Sequence, residues 1–193
     1  MCGRYLFKLN DDEELHDWIQ QLSLSESHDL SLKEVFPSQK TIVFSSPHTP
    51  VIMRWGLKKF DDKGLLINAR SESVKESPFF KDHLNNRRCL IKADAFFEWN
   101  NEKQKNIVSN YTQKALYMAG IYDDSTAIPT FAILTDEAEG NFRKLHHRIP
   151  LFIPEAYLQK YIDDGSNLLE DFRNLKQIDL VYENLDPQMT LFE

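Results

Sequence analysis

Short segments rich in apolar residues recur along this chain, a pattern typical of β-strands, and the first of them alternates between apolar and polar residues. The alternation begins near the start, where Tyr5, Phe7 and Leu9 lie on one side of a predicted strand over residues 2–9. Further strands are predicted at residues 41–45, 51–57, 65–69, 89–93, 95–99, 115–121, 129–135 and 178–182. Clusters of turn-forming residues separate most of these segments.

Helical spacing of apolar residues occurs mainly at the two ends of the chain. Asp11 and Glu14 have the spacing of a capping box and precede an apolar stripe, which predicts an amphipathic helix over residues 11–22. Residues 23–39 are polar and are predicted to form a loop, and the remaining helices are predicted at residues 78–84, 136–145, 154–162 and 166–175. These elements predict an α+β fold in which residues 1–193 form a single domain, a barrel-like mixed sheet of short strands with peripheral helices.

The composition is that of one globular domain. The chain has 193 residues, of which 41% are hydrophobic, enough to bury a normal core. Its longest apolar runs are far shorter than the roughly 18 residues that cross a bilayer, and charged residues stand where an export signal needs an apolar core. The chain contains two cysteines, Cys2 and Cys89, which predicts a reducing compartment, the cytoplasm, and argues against structural zinc or a disulfide scaffold.

The net charge of −7 is unevenly distributed along the chain. Residues 10–34 carry eight acids and one base, and residues 155–193 carry nine acids and three bases. Residues 54–92 instead carry ten bases and five acids. This basic middle either presents a positive face to a polyanion such as nucleic acid or is a solvated surface of uneven charge.

Cys2 has the most distinctive chemistry in the sequence. If the initiator Met1 is removed, as is usual before a small residue, Cys2 carries both an α-amine and a thiol. Such groups have pKa values of about 7.7–8 and 8.5, so both are expected to be partly reactive near neutral pH. Together they condense with an aldehyde, first to an imine and then, by attack of the sulfur, to a thiazolidine ring. The alternative is that Cys2 is merely a small residue after the start codon.

Three further segments place polar groups where structure alone does not need them. Asn68 and Arg70 end a predicted strand, either as ordinary turn residues or as an amide that orients a nucleophile and a guanidinium that holds a phosphate. Glu98 lies among large aromatic residues, where it is either exposed or a partly desolvated general acid with a raised pKa. His146 and Arg148 follow a predicted helix, either as its capped end or as a proton-shuttling imidazole beside a guanidinium.

The remaining signals are weaker. His146 and His147 are adjacent, and adjacent histidines rarely bind one ion together, so neither a metal nor another cofactor is expected. Trp55 and Trp99 lie in or beside the basic segment, where an exposed tryptophan can stack on an unpaired base. Most tryptophans are largely buried, so each taken singly is also explained as a core residue.

Taken in order, short segments of this chain resemble the SRAP (SOS-response-associated peptidase) family, the abasic site processing proteins. The resemblance covers about residues 1–160 and rests on Met1-Cys2-Gly3-Arg4, Arg54-Trp55-Gly56-Leu57, Asn68-Ala69-Arg70-Ser71-Glu72, Arg87-Arg88-Cys89-Leu90-Ile91, Phe97-Glu98-Trp99, Ala119-Gly120-Ile121 and His146-His147-Arg148-Ile149-Pro150. It implies an α+β domain that captures abasic sites in single-stranded DNA as a thiazolidine cross-link. We accordingly expect a monomer whose partner is single-stranded DNA containing abasic sites, with no membrane partner.

The resemblance also implies roles for individual residues. Cys2 would supply the amine and the thiol, Asn68 would orient the amine and the sugar, and Glu98 would donate and accept protons. His146, rather than His147, would move a proton to or from the sugar hydroxyl. The other residues implied at the site are Arg4, Arg70 and Arg148, which would hold phosphates, and Trp55 and Trp99, which would bracket the gap left by the missing base.

The chain departs from the family pattern without losing an implied catalytic group. Lys92 and Ala95 stand in place of a proline and a glycine, and His147 and Ile149 in place of an aspartate and a methionine. Two alternative functions remain open, an N-terminal-nucleophile peptidase that uses the Cys2 thiol and a non-covalent module that binds single-stranded DNA. Strand cleavage from the imine, a lyase activity, is an expected side reaction.

Overall fold

A computed structural model describes residues 2–9, 12–59, 63–175 and 179–185. Its strands in chain order are β1 (Tyr5–Leu6), β2 (Glu34–Val35), β3 (Lys40–Ser46), β4 (Thr49–Trp55), β5 (Leu57–Lys58), β6 (Leu65–Leu66), β7 (Asn68–Arg70), β8 (Arg88–Ala93), β9 (Ala95–Trp99), β10 (Lys105–Asn110), β11 (Leu116–Asp123), β12 (Thr130–Glu137), β13 (Arg148–Pro150) and β14 (Leu180–Asn184). Its helices are α1 (Glu13–Gln20), α2 (Leu24–Ser27), α3 (Lys81–Asn86), α4 (Phe142–Leu145), α5 (Leu158–Asp164) and α6 (Leu169–Asn174), with a 3₁₀ turn at Glu155–Tyr157. This content confirms the predicted α+β class.

The larger sheet closes on itself, which confirms the barrel-like prediction. Strands β11, β8, β3, β4 and β12 are hydrogen-bonded in that order, and β12 pairs again with β11. A second sheet, in the order β14-β10-β9-β1-β2, is antiparallel throughout, and β5 pairs with β6. A closed ring leaves few unpaired backbone groups at its edges, which suits strands this short.

Strand β12 is the member of the ring with the most partners. On one edge it pairs antiparallel with β11 and then with β13. On the other edge it pairs parallel with β4 and then, farther along, with β7. The chain leaves β12 at Gly56, whose φ of +119° is a conformation that residues with a Cβ rarely adopt, and returns to it at Asn68. This detour places β7 next to β13 across a single strand.

Large apolar side chains fill the ring and the layer beneath the second sheet. Trp55 is fully buried, with its ring stacked on Phe131 at 6.2 Å and tilted against Tyr5 at 5.3 Å. Its indole N–H donates to the Ile67 carbonyl oxygen at 2.9 Å, so the buried donor is satisfied. Burial on this scale ties the N-terminal segment, β4 and β12 into one core.

Several predicted boundaries differ from the structure. The strand predicted over residues 2–9 is only two residues long, and the helix predicted at 11–22 begins at Glu13 because Asp12 caps it by accepting from the Leu15 N–H at 3.1 Å. Asp11 and Ile178, which belonged to the predicted capping box and last strand, lie outside the described residues. Within the described ranges, no helix is long and apolar enough to span a membrane.

The largest errors concern residues 136–145 and the polar segment after Trp99. The predicted helix over 136–145 shrinks to the single turn α4, because β12 continues to Glu137 in register with β13. Strand β10 was not predicted, since its residues are largely polar, yet it pairs with β9 along its length. Sheet partners outweigh local preference at both places.

A methyl group added at Gly120 should destabilise the ring. The new Cβ would overlap the Ile91 Cδ1 atom and lie 2.9 Å from the Cys89 Sγ atom. We expect Gly120→Ala to lower the free energy of unfolding by about 1–3 kcal/mol, measured by urea denaturation. Ile91→Val removes the overlapping methyl group, so the double variant should lose less than the sum of the two single variants. Additive losses would contradict this packing.

Candidate functional site

Cys2 is held inside the molecule by contacts from two directions. Its side chain is fully buried, and its Sγ lies 3.8 Å from the Arg4 carbonyl oxygen as a weak donor. Its own carbonyl oxygen accepts a hydrogen bond from the Asn68 Nδ2 group at 2.9 Å. The Arg4 carbonyl oxygen also accepts from the Phe97 N–H at 2.9 Å, which ties this segment to β9. The start of the described chain is therefore anchored between β7 and β9.

The thiol of Cys2 does not have the pKa expected from sequence. Burial, with a smaller effect of the Glu98 carboxylate, raises the pKa of Cys2 to about 12. The expectation of a partly ionised thiol near neutral pH is therefore wrong for this structure. A reaction through sulfur needs a group that takes its proton, and Glu98 is close enough to influence it.

Glu98 lies below the surface on β9. Its side chain is 5% exposed, so the alternative of an exposed carboxylate is wrong. Its Oε1 atom lies 3.8 Å from the His146 Nε2 atom. Asn106, also buried, faces Glu98 across the strand pair β9–β10. The carboxylate and the imidazole thus form a pair next to Cys2.

The orientation of His146 is fixed by the backbone that follows it. The Arg148 N–H donates to the His146 Nδ1 atom at 2.9 Å. In the neutral ring the proton is therefore carried on Nε2, the atom that faces Glu98. Burial lowers the pKa of His146, although the Glu98 carboxylate opposes this effect, so the imidazole is neutral at pH 7. The ring of His147 stacks on it with centroids 4.3 Å apart.

Arg148 does not have the exposed position that phosphate binding requires. Its side chain is 5% exposed and forms a bidentate ion pair with Glu72. The Arg148 Nη1 group donates to Glu72 Oε1, and the Arg148 Nη2 group donates to Glu72 Oε2 at 2.9 Å. It also donates to the carbonyl oxygen of Thr135 on β12. The prediction that Arg148 contacts a phosphate is therefore wrong in this structure, since its Nη1 and Nη2 groups bind Thr135 on β12 and Glu72, two residues after β7. Sequence reasoning did not single out Glu72, although it is the carboxylate in the matching segment Asn68-Ala69-Arg70-Ser71-Glu72.

The other residues predicted to contact DNA divide into two groups. Trp55 is fully buried among aromatic rings, so the prediction that it brackets a missing base is wrong. Trp99 is 36% exposed, and Arg70 is exposed on the same strand as Asn68, two residues away, where alternation directs both to one face. Arg4 is half-buried and pairs with Glu34 at 3.1 Å. Arg70, Trp99 and Arg4 therefore remain candidates.

Several basic side chains of residues 54–92 form structural contacts within the protein. Arg88 donates to carbonyl oxygens of Leu84, Tyr161 and Ile162, and Lys92 pairs with Asp12 at 2.9 Å. Arg87 pairs with Asp82. These bases hold helices α1, α3 and α5 to the ring rather than offer positive charge to a ligand.

A small cleft of about 180 Å³ opens beside the histidine pair. Arg70, Arg143 and His147 contribute to its lining, together with the Glu72–Arg148 pair. Across the described ranges, no group of three or more His, Cys, Asp or Glu residues is arranged to hold a metal ion. The chemistry available at this site is thus that of an amide, a carboxylate, an imidazole and a thiol.

Comparisons with known proteins identify relatives over most of the chain. The family model described as SOS response associated peptidase (SRAP) matches residues 1–186. The chain is 26% identical over 180 residues to the abasic site processing protein YoqW of Bacillus subtilis, across 84% of this chain and 80% of YoqW. It is 27% identical over 172 residues to the abasic site processing protein YedK of Escherichia coli, across 81% of this chain and 77% of YedK. A crystal structure of a protein from Bacteroides thetaiotaomicron shares the fold, with a TM-score of 0.76 and 19% identity over 96% of this chain and 93% of that one.

The pairing of Glu98 with His146 predicts how the imidazole titrates. Because the carboxylate raises the pKa of His146 against the effect of burial, Glu98→Gln should lower that pKa further. The measurement is an NMR titration of the imidazole Cε1–H signal. Glu137→Gln, which neutralises an exposed carboxylate, serves as the control and should leave the signal unchanged. A higher His146 pKa in Glu98→Gln would show that the two groups do not face each other.

Proposed function

Because this chain belongs to the SOS response associated peptidase (SRAP) family, we propose that it captures abasic sites in single-stranded DNA as a covalent cross-link through Cys2. Abasic site processing is what the names of YoqW and YedK state for those relatives. The observation that carries the proposal is the arrangement of Asn68, Glu98 and His146 around the buried Cys2. These are the groups that imine and thiazolidine chemistry needs.

The reaction begins once Met1 is removed and the Cys2 nitrogen is a free amine. The amine adds to the aldehyde carbon of the ring-opened deoxyribose, and loss of water gives an imine. The thiol then adds across the carbon–nitrogen double bond, so that sulfur bonds to carbon and the thiol proton ends on nitrogen. One water is released overall, no group is oxidised or reduced, and the product is a five-membered thiazolidine.

The surrounding residues support each step. Asn68 holds the Cys2 carbonyl and so orients the adjoining nitrogen, and its own Oδ1 atom is buried without a hydrogen bond to the described residues. This oxygen is an acceptor available to the amine or to a sugar hydroxyl. Glu98 and His146 form the proton relay that the thiol requires, because a pKa of about 12 leaves almost no thiolate at neutral pH.

Cross-linking competes with strand cleavage, since an imine acidifies the neighbouring carbon and permits β-elimination. A well-oriented intramolecular nucleophile reaches an effective concentration of about 10⁵ M or more. Cys2 Sγ belongs to the same residue as the attacking nitrogen, so ring closure proceeds faster than elimination. We therefore assign cross-linking as the main outcome and lyase activity as a minor one, in a cytoplasmic monomer whose exposed contacts to the strand include Arg70 and Trp99.

Replacing the thiol should separate the two steps. With abasic single-stranded DNA, the wild type is expected to give a band that survives a denaturing gel. Cys2→Ser still permits Met1 removal and imine formation but not a stable thiazolidine, so its cross-link should appear only after borohydride reduction, and strand cleavage should increase. Cys89→Ala changes the other buried thiol and should cross-link as the wild type does. Equal cross-linking by Cys2→Ser without a reductant would rule out the thiazolidine, and intact mass would verify Met1 removal throughout.

A peptidase function is the second candidate, because the family description itself names one. In that reaction the Cys2 thiol attacks a peptide carbonyl, with the Glu98–His146 pair as the base. A chain carrying an N-terminal extension of about ten residues would then cleave itself before Cys2, and Glu98→Ala would abolish the cleavage while Glu137→Ala would not. Retention of the extension in the wild type, observed by mass spectrometry, would exclude self-processing.

A further inference from the structure

Two basic residues stand opposite each other on strands β3 and β4. Lys40 begins β3 and is in register with Arg54 in the antiparallel pairing of the two strands. Residues directly opposite each other in such a pair project to the same face of the sheet, with Cβ atoms about 5 Å apart. Like charges in this position repel each other, so the pair costs stability unless an anion lies beside it.

Lys40 is buried to an unusual extent for a charged residue. Its residue surface is 7% exposed, and lysine is rarely buried so deeply without an anionic partner. The Ser31 N–H donates to the Lys40 carbonyl oxygen at 2.8 Å, which fixes the preceding loop against the start of β3. Within the described ranges, the ammonium group of Lys40 has neither a hydrogen bond nor an ion pair. The fold thus retains a buried cation that its own contacts do not use.

A cavity of about 480 Å³ opens at this pair of cations. Lys40 and Arg54 line it together with Ser38, Gln39 and residues 29–31. The Arg54 Nη1 group donates to the Ser38 carbonyl oxygen at 2.6 Å, which positions the guanidinium. In the described part of the chain, the Nε and Nη2 groups of Arg54 have no partner. The cavity therefore has free donors of two cationic side chains at its wall.

An acidic residue, Asp29, also lines the cavity but does not neutralise these cations. Its side chain is 75% exposed and lies 2.8 Å from the His28 Nδ1 atom. Among the described residues it forms no ion pair with Lys40 or Arg54. A carboxylate exposed to this extent is strongly screened by solvent, so the cavity keeps a positive potential.

From this arrangement we propose that Lys40 and Arg54 form a binding site for a phosphate group. The planar guanidinium of arginine matches the oxygens of a phosphate, and the ammonium of lysine supplies a point charge beside it. The phosphate belongs either to a nucleic-acid backbone or to a free phosphate compound, because both present the same oxygens. The site lies among residues other than those that hold Cys2, so it goes beyond the proposed function and does not depend on it.

The first test is an NMR titration of the full-length, ¹⁵N-labelled protein with inorganic phosphate. Ionic strength is held constant with sodium chloride, which removes the general effect of salt. The backbone amide signals of Ser31, Ser38 and Gln39, which lie around the cavity, should shift saturably with phosphate. Sodium chloride alone should leave them in place.

Two variants test the cations separately. Lys40→Met keeps most of the side-chain length but removes the charge, and Arg54→Gln removes the charge at the more exposed position. Each should weaken phosphate binding about 10-fold or more, the loss expected for a charge-assisted hydrogen bond. Lys160→Met makes the same change of charge at an exposed position on α5 and should bind as the wild type does. An affinity equal to that of Lys160→Met in either test variant, for whichever probe the wild type binds, would overturn the proposal.

The source of the phosphate is identified with a fluorescein-labelled, undamaged single-stranded oligonucleotide, which offers no aldehyde to Cys2. If the site holds a backbone phosphate, Lys40→Met should bind the oligonucleotide more weakly and should reduce the slope of log K against log salt by about 0.7. If it holds a free phosphate, the variant should lose affinity for inorganic phosphate alone. A wild type whose cavity amides respond to neither probe would refute the site and leave the capture reaction standing. Loss of cross-linking would refute the capture reaction and leave the site standing.

Discussion

The pairing of β12 on both of its edges is the constraint from which the candidate site follows. Its parallel partners β4 and β7 share one edge, and its antiparallel partners β11 and β13 share the other. As a result, β7 and β13, far apart in sequence, flank the same strand, where Arg70 and Pro150 are both in register with Thr135. The Arg148 side chain binds Thr135 on β12 and Glu72. The Arg148 backbone N–H donates to His146 Nδ1 and so fixes the orientation of the imidazole ring. One strand thus links the barrel to the position of the imidazole.

The chemistry of the site depends on polar groups kept away from water. Cys2, Glu98 and Arg148 are each at most 5% exposed, and His146 is only partly exposed. Electrostatic interactions are stronger in such surroundings, and unpaired charges cost more. Arg148 therefore has a carboxylate partner, Cys2 stays a thiol, and His146 stays neutral.

The aromatic residues lie at two different depths in the fold. Trp55 and Phe131 stack inside the ring and fix the N-terminal segment, while Trp99 and Phe36 remain near the surface around Arg4. Positive charge is divided in the same way. Arg88 and Lys92 hold helices to the ring, and Arg70 stays exposed. The local excess of bases over residues 54–92 therefore overstates the positive surface available to a polyanion.

The sequence by itself determined the class of fold and most strand positions, and it named the candidate residues Cys2, Asn68, Glu98 and His146. The pattern of apolar residues was sufficient for β8 and β9, because their short apolar runs face a core on at least one side. It failed for β10 and for residues 136–145, where hydrogen-bonding partners far along the chain decide the structure. The sequence pattern also did not predict which of the polar and aromatic side chains are buried. Only the tertiary structure placed Trp55 and Arg148 inside and raised the pKa of Cys2, since exposure depends on what packs against a residue and not on its neighbours in sequence.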